Sequence, residues 1–99
     1  MSRFDVYRNE DGPGFLLDVQ TNLLDNLNTR VVVPLLPIDR APIPAKILNP
    51  VFEIDGISVS MVTQFMAAVP AKILKRALTS LDRKQNEITA ALDFLFHGF

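Results

Sequence analysis

Phe4 and Val6 alternate with Asp5 and Tyr7, and Phe15, Leu17 and Val19 resume the alternation after the run Asn9-Glu10-Asp11-Gly12-Pro13-Gly14. Alternation with period two marks a half-buried strand, and the intervening residues are turn formers, so a hairpin with a long loop is predicted. Asp25-Asn26-Leu27-Asn28 then forms a second loop ahead of an apolar strand over Arg30–Leu36. Five prolines fall between Pro34 and Pro50. Proline cannot donate to a strand ladder, so this stretch is expected as edge, turn and excursion rather than central sheet.

The clearest local signal is Val51–Met61, centred on Asp55-Gly56. That pair suits a two-residue type I′ turn. Closing there sets Ile54 opposite Ile57 and Phe52 opposite Val59, with Glu53 and Ser58 on the other side. The apolar residues of both arms then share one face, so register and turn agree. After Val69-Pro70 the period changes. Asp82 followed by Gln85 reads as an N-cap with a capping box. Ile88, Ala91, Leu92, Leu95 and Phe99 follow helical spacing, and Gly98 suits a left-handed C-cap. The pattern predicts a mainly antiparallel β fold closed by one carboxyl-terminal α-helix.

Ninety-nine residues allow one domain, 1–99, with a modest core, and a core that small favours self-association. An apolar share of 48% and a charged share of 21% are those of a folded chain. The absence of cysteine excludes disulfides and thiolate metal sites and fits a reducing compartment. Met1–Tyr7 has an acidic residue where a signal peptide is apolar, and Val31–Ile38 is too short to span a bilayer, so a soluble cytoplasmic protein without a membrane partner is expected. A net charge of −1 gives no long-range attraction for nucleic acid. Lys72, Lys75, Arg76, Arg83 and Lys84 gather half of the basic residues in one segment. They read first as a solvated face and second as a phosphate-contacting patch.

Candidate catalytic chemistry is sparse. His97 is the only histidine, which rules out a His/Cys metal cluster, and a Ser–His–Asp triad would need a histidine two residues from the chain end. The glycines at 12, 14, 56 and 98 form no phosphate-binding loop. No cofactor is expected. The unusual residues lie elsewhere. Asp93-Phe-Leu-Phe-His-Gly-Phe99 places three aromatics in the last six positions. Phe96 is about 100° from Leu95 and about 200° from Phe94 around a helix, so one buried stripe cannot cover them all. Leu23-Leu24 at a loop start is a similar case. Such residues either pack back against the protein's own sheet and core or form part of an interface, and the interface reading points to docking on another macromolecule rather than catalysis.

Taken together, Phe4-Asp-Val-Tyr7, Asp18-Val-Gln-Thr-Asn-Leu-Leu-Asp25, Arg30-Val-Val-Val-Pro-Leu35, Met66-Ala-Ala-Val-Pro70 and the stretch from Asn86 to Phe99 resemble CcdB-type toxins of bacterial toxin–antitoxin modules, nearly end to end. The resemblance implies an SH3-like antiparallel β-barrel with a small extra sheet and a carboxyl-terminal helix, assembled as a homodimer. It implies a toxin without catalytic activity that binds the A subunit of DNA gyrase and traps the enzyme with its DNA cut. A CcdA-type antitoxin would neutralise it, and the two together would bind operator DNA and repress their operon.

By the same resemblance the gyrase-facing residues are Leu23, Leu24, Asp93, Phe96, His97, Gly98 and Phe99. The family's best-known member has tryptophan at the position of His97, asparagine at Asp93 and isoleucine at Phe99. Imidazole offers less stacking area than indole, and the Asp93 carboxylate adds negative charge to the contact region. Arg8, Asn9, Glu10 and Asp11, in a loop of variable length in the family, are candidates for antitoxin contact. Two other readings stand beside this one. One is a messenger-RNA-cleaving toxin of the same barrel fold, similar to MazF and Kid. The other is a degenerate copy kept as an antitoxin sink.

Overall fold

A computed structural model of the chain describes residues 2–98. Seven strands form: β1 (Asp5–Arg8), β2 (Phe15–Asp18), β3 (Thr29–Pro37), β4 (Val51–Ile54), β5 (Ile57–Met61), β6 (Ala67–Pro70) and β7 (Ala77–Ser80). Among the described residues one α-helix, α1 (Gln85–His97), follows them. The strands join in a single antiparallel sheet ordered β4-β5-β3-β2-β1-β7, with β6 branching from β3. The sheet curls into a half-barrel, and the fold is mainly β with one carboxyl-terminal helix, as the residue pattern predicts. The expected small extra sheet is continuous with the rest through β3.

β3 organises the fold. Along one side it pairs with β2; along the other, Thr29–Val32 pair with β6 and Leu35–Pro37 with β5. Pro34 therefore sits inside the central strand, against the expectation of edge or turn. Its carbonyl accepts from the Val62 amide at 3.0 Å. The nitrogen and carbonyl of one strand residue point the same way, so the missing N–H falls where β6 has ended and β5 has not begun. Pro37 ends the strand. Pro42, Pro44 and Pro50 lie in the excursion between β3 and β4, as predicted. Asn49 fastens that excursion: its Nδ2 donates to the Met61 carbonyl at 3.0 Å and to Gln64 Oε1 at 2.9 Å, while Oδ1 accepts from the Ala45 amide.

The β4–β5 hairpin has the predicted register, Ile54 with Ile57 and Phe52 with Val59, and both turn residues are left-handed (Asp55 φ 55°, Gly56 φ 79°). Phe52, Ile54, Val59 and Met61 are buried, but Val51 lies opposite Ser60 on the other face and Ile57 stays exposed near the turn. In the first hairpin Phe4, Val6, Phe15, Leu17 and Val19 join the main core, along with Ile88 and Ala91 of α1. Tyr7, read as polar-side, is also buried, in a second cluster with Val32 and Leu74 on the other face of the sheet.

The helix start differs from the prediction. Asp82–Lys84 forms a 3₁₀ turn and no side chain caps α1, so the Asp82 capping box does not form. The Ser80 hydroxyl accepts from the Asp82 amide instead. At the other end Gly98 takes the predicted left-handed cap (φ 79°), with its N–H donating to the Phe94 carbonyl. Leu95, assigned to the buried stripe, is half-exposed. Phe99 lies outside the described residues.

Candidate functional site

Leu23 and Leu24 sit on a 3₁₀ turn, Asn22–Leu24, between β2 and β3. Thr21 opens it by accepting the Leu23 amide on its hydroxyl at 3.3 Å, and the Asp25 amide closes it on the Asn22 carbonyl. Every residue from Thr21 to Thr29 is exposed, and Leu23 retains 90% of its accessible surface. An adjacent hydrogen bond joins the turn to the amino-terminal segment, from the Arg3 amide to Asn22 Oδ1 at 2.8 Å. Phe4, held at φ 76°, then donates to the Asp18 carbonyl and accepts from the Leu81 amide. That path leads to the start of α1.

The end of α1 carries the other candidates. Asp93, Phe96, His97 and Gly98 are all exposed there, Phe96 at 64%. Phe94 and Leu95 retain 37% each, so three consecutive apolar side chains meet solvent on the last turns. Helical residues in sequence point about 100° apart, and only Ile88 and Ala91 of this helix are fully buried. The structure thus groups Asp93–Gly98 on one helix end and Leu23-Leu24 on a separate turn.

Behind the leucine turn lies a buried polar network. Arg30, on β3, is 1% exposed. It donates from Nε to Asp18 Oδ2, from Nη1 to Asp25 Oδ1 at 2.8 Å and from Nη2 to the Gln20 carbonyl, and Nη2 also pairs ionically with Asp18 Oδ2. Burial pushes the Asp18 carboxyl above its usual range, opposed by the Arg30 hydrogen bond and by the Gln20 N–H. Burial alone would lower the Arg30 guanidinium, yet Asp18 and then Asp25 hold it above its ordinary value. We take the pair as ionised, because a wholly buried arginine keeps its proton and needs the anion beside it.

Arg8, Asn9, Glu10 and Asp11 line a groove. One part, of about 320 Å³, is bounded by these four with Leu16, Lys72, Ile73 and Lys75. The adjoining part, about 460 Å³, shares Arg8, Glu10, Ile73 and Lys75 and extends to Tyr7, Arg76 and Leu78. Lys75 Nζ and Glu10 Oε1 face each other at 3.8 Å. The basic segment divides: Lys72, Lys75 and Arg76 join Arg8 at the groove, while Arg83 and Lys84 belong to the turn before α1. In the sequence this cluster reads as a solvated face. Its spacing is visible there, but its nearness to Arg8, across the pairing of β1 with β7, is not.

A family model described as CcdB protein matches residues 3–98. The chain belongs to the CcdB family. It is accordingly the toxin of a toxin–antitoxin pair, and an antitoxin is its partner. In this CcdB-family fold no cluster of three His, Cys, Asp or Glu among the described residues could hold a metal ion. No helix among them is long and apolar enough to cross a membrane. The Phe94–Phe96 surface and the Leu23-Leu24 turn are apolar, and the groove carries four cationic side chains beside Leu16 and Ile73.

Proposed function

We propose that this toxin binds the A subunit of DNA gyrase as a cytoplasmic homodimer and traps the enzyme with its DNA cleaved, without covalent chemistry of its own. Leu23, Leu24, Asp93, Phe96, His97, Gly98 and Phe99 form the contact surface. The observation that carries this reading is the apolar end of α1, left in solvent by a protein whose own core is filled by other residues. Aromatic side chains exposed at a helix end give a large contact area with few rotatable bonds. The groove beside Arg8, Asn9, Glu10 and Asp11 receives the antitoxin, which is CcdA-type. Four cations beside Leu16 and Ile73 suit an acidic segment that orders on binding. Toxin and antitoxin together occupy operator DNA.

The test is a gyrase supercoiling and DNA-cleavage assay comparing wild type with a protein lacking Gly98 and Phe99. Trapping by wild type and its loss in a truncated form that still folds and dimerises is the expected result. Equal trapping by both forms refutes the site assignment. RNA cleavage by the purified protein, in the absence of gyrase, would replace the whole reading with a ribonuclease.

A further inference from the structure

No residue of Thr21–Thr29 is buried, and Leu23 keeps 90% of its surface and Leu24 44%, so core packing does little to orient Leu23. What holds them is polar. Gln20, 8% exposed, donates from Nε2 to the Leu24 carbonyl at 3.3 Å and to the Thr29 carbonyl at 3.2 Å, and its Oε1 accepts from the Val31 amide. Buried Arg30 also donates to Asp25, the half-exposed residue that closes the turn. Charge balance alone does not account for this second bond. Asp18, wholly buried, already holds Arg30 through two nitrogens, whereas the Asp25 side chain is 56% exposed and could be solvated by water.

We infer that Gln20, Arg30 and Asp25 are positioning residues: they clamp the Leu23-Leu24 turn onto β3 so that both leucines meet the partner already ordered. The inference rests on the reading that this turn contacts the gyrase protein. A flexible surface turn loses conformational freedom when it binds, and a turn tied beforehand to a rigid strand loses less. The clamp therefore raises affinity without touching the partner.

Asp25 is the place to cut, because its removal leaves the buried Asp18–Arg30 pair intact. The test uses the full-length protein as Asp25→Ala and Asp25→Asn, the latter keeping an oxygen that accepts from Arg30 Nη1. Backbone order parameters of Leu23, Leu24 and Asp25 are measured by NMR, and binding to a fragment of the gyrase A protein by titration. In Asp25→Ala the order parameters should fall from the rigid range near about 0.85 towards about 0.6. Gyrase affinity should fall about tenfold, antitoxin affinity should hold, and Asp25→Asn should recover most of both losses. In a Leu23→Ala/Leu24→Ala background, removing Asp25 should cost no further affinity, since the clamp would have nothing left to present.

Unchanged order in Asp25→Ala overturns the inference, as does an equal loss of affinity with and without the leucines. Failure of Asp25→Asn to recover binding overturns it too, by showing that the surface charge matters and not the tether. Should wild type bind no gyrase fragment, the functional reading falls and this inference with it. Wild-type binding matched by Asp25→Ala sinks the inference alone.

Discussion

Asp18 Oδ2 accepts a hydrogen bond from Arg30 Nε at 2.9 Å and lies 2.7 Å from Nη2 in an ion pair, and neither side chain retains more than 1% of its surface. The two strands that carry them lie side by side, so the ion pair is a buried cross-strand contact, on the face of the sheet opposite Leu17 and Val19 of the main core. Leaving one partner alone in that interior strands a charge. Asp18→Ala is expected to destabilise the protein by about 3–5 kcal/mol, more than most point changes. A double change of Asp18 and Arg30 to apolar residues of similar volume should cost less than Asp18→Ala. Urea unfolding of the variants checks this, and an Asp18→Ala protein within about 1 kcal/mol of wild type contradicts it.

Gly14 is held by geometry of another kind. It stands at φ 83° just before β2, and a Cβ built there would collide with the Leu35 carbonyl oxygen on β3. The obstacle is backbone in the central strand, which cannot swing aside as a side chain would. Gly14→Ala should therefore cost about 2–4 kcal/mol from left-handed strain and displaced pairing together. The check is its thermal midpoint against that of Gly56→Ala, where the turn is left-handed as well but nothing lies within 4 Å of the added methyl. Equal losses at the two glycines would show that φ alone matters.

The Asp55-Gly56 hairpin was legible because turn chemistry and period-two patterning are local and agree with each other. Gly98 was legible for the same reason. Pro34 was not, since its place in β3 depends on a change of partner from β6 to β5 that no short stretch encodes. The Asp82 capping box lost to the neighbouring Ser80 hydroxyl, a competition between two residues that both suit helix starts. At the candidate site, the off-stripe aromatics of α1 could be read from helical geometry, although Leu95 proved more exposed than its position suggests. The Gln20–Arg30–Asp25 clamp was hidden. A single arginine in an apolar run gives no sign of which carboxylates it will meet.

Tyr7 offers a probe of the sheet's second face. Burial pushes its phenol above the ordinary value, and the carboxylates of Asp5 and Asp18 add to the shift against Arg30. The native state then holds the phenolic proton more tightly than the unfolded chain does. Stability from this group is whole below about pH 10 and is lost as pH rises through the native value. Tyr7→Phe should flatten that alkaline fall by up to about 1.4 kcal/mol per pH unit. Because the chain has one tyrosine, ultraviolet titration reads the native phenol directly. Ionisation at the same pH in native and urea-unfolded protein would remove the basis for this prediction.

The groove's surplus of positive charge can be tested with salt. Arg8, Lys72, Lys75 and Arg76 line it with only Glu10 and Asp11 as anions, and the Lys75–Glu10 contact is long and solvated, worth little by itself. An incoming acidic segment would meet those cations around Ile73 and Leu16. Its affinity should fall as salt rises from about 0.05 to 0.5 M, because solvent-facing charges are screened over about 10 Å at 0.1 M and less beyond. Lys75→Glu with Arg76→Glu should weaken antitoxin binding at least about tenfold at low salt and reduce the salt dependence. Gyrase trapping should persist in that variant, since the leucine turn and the end of α1 lie on other elements. Calorimetric titration with the antitoxin at two salt concentrations separates the possibilities. Undiminished, salt-independent binding by the charge-reversed protein would place the antitoxin elsewhere.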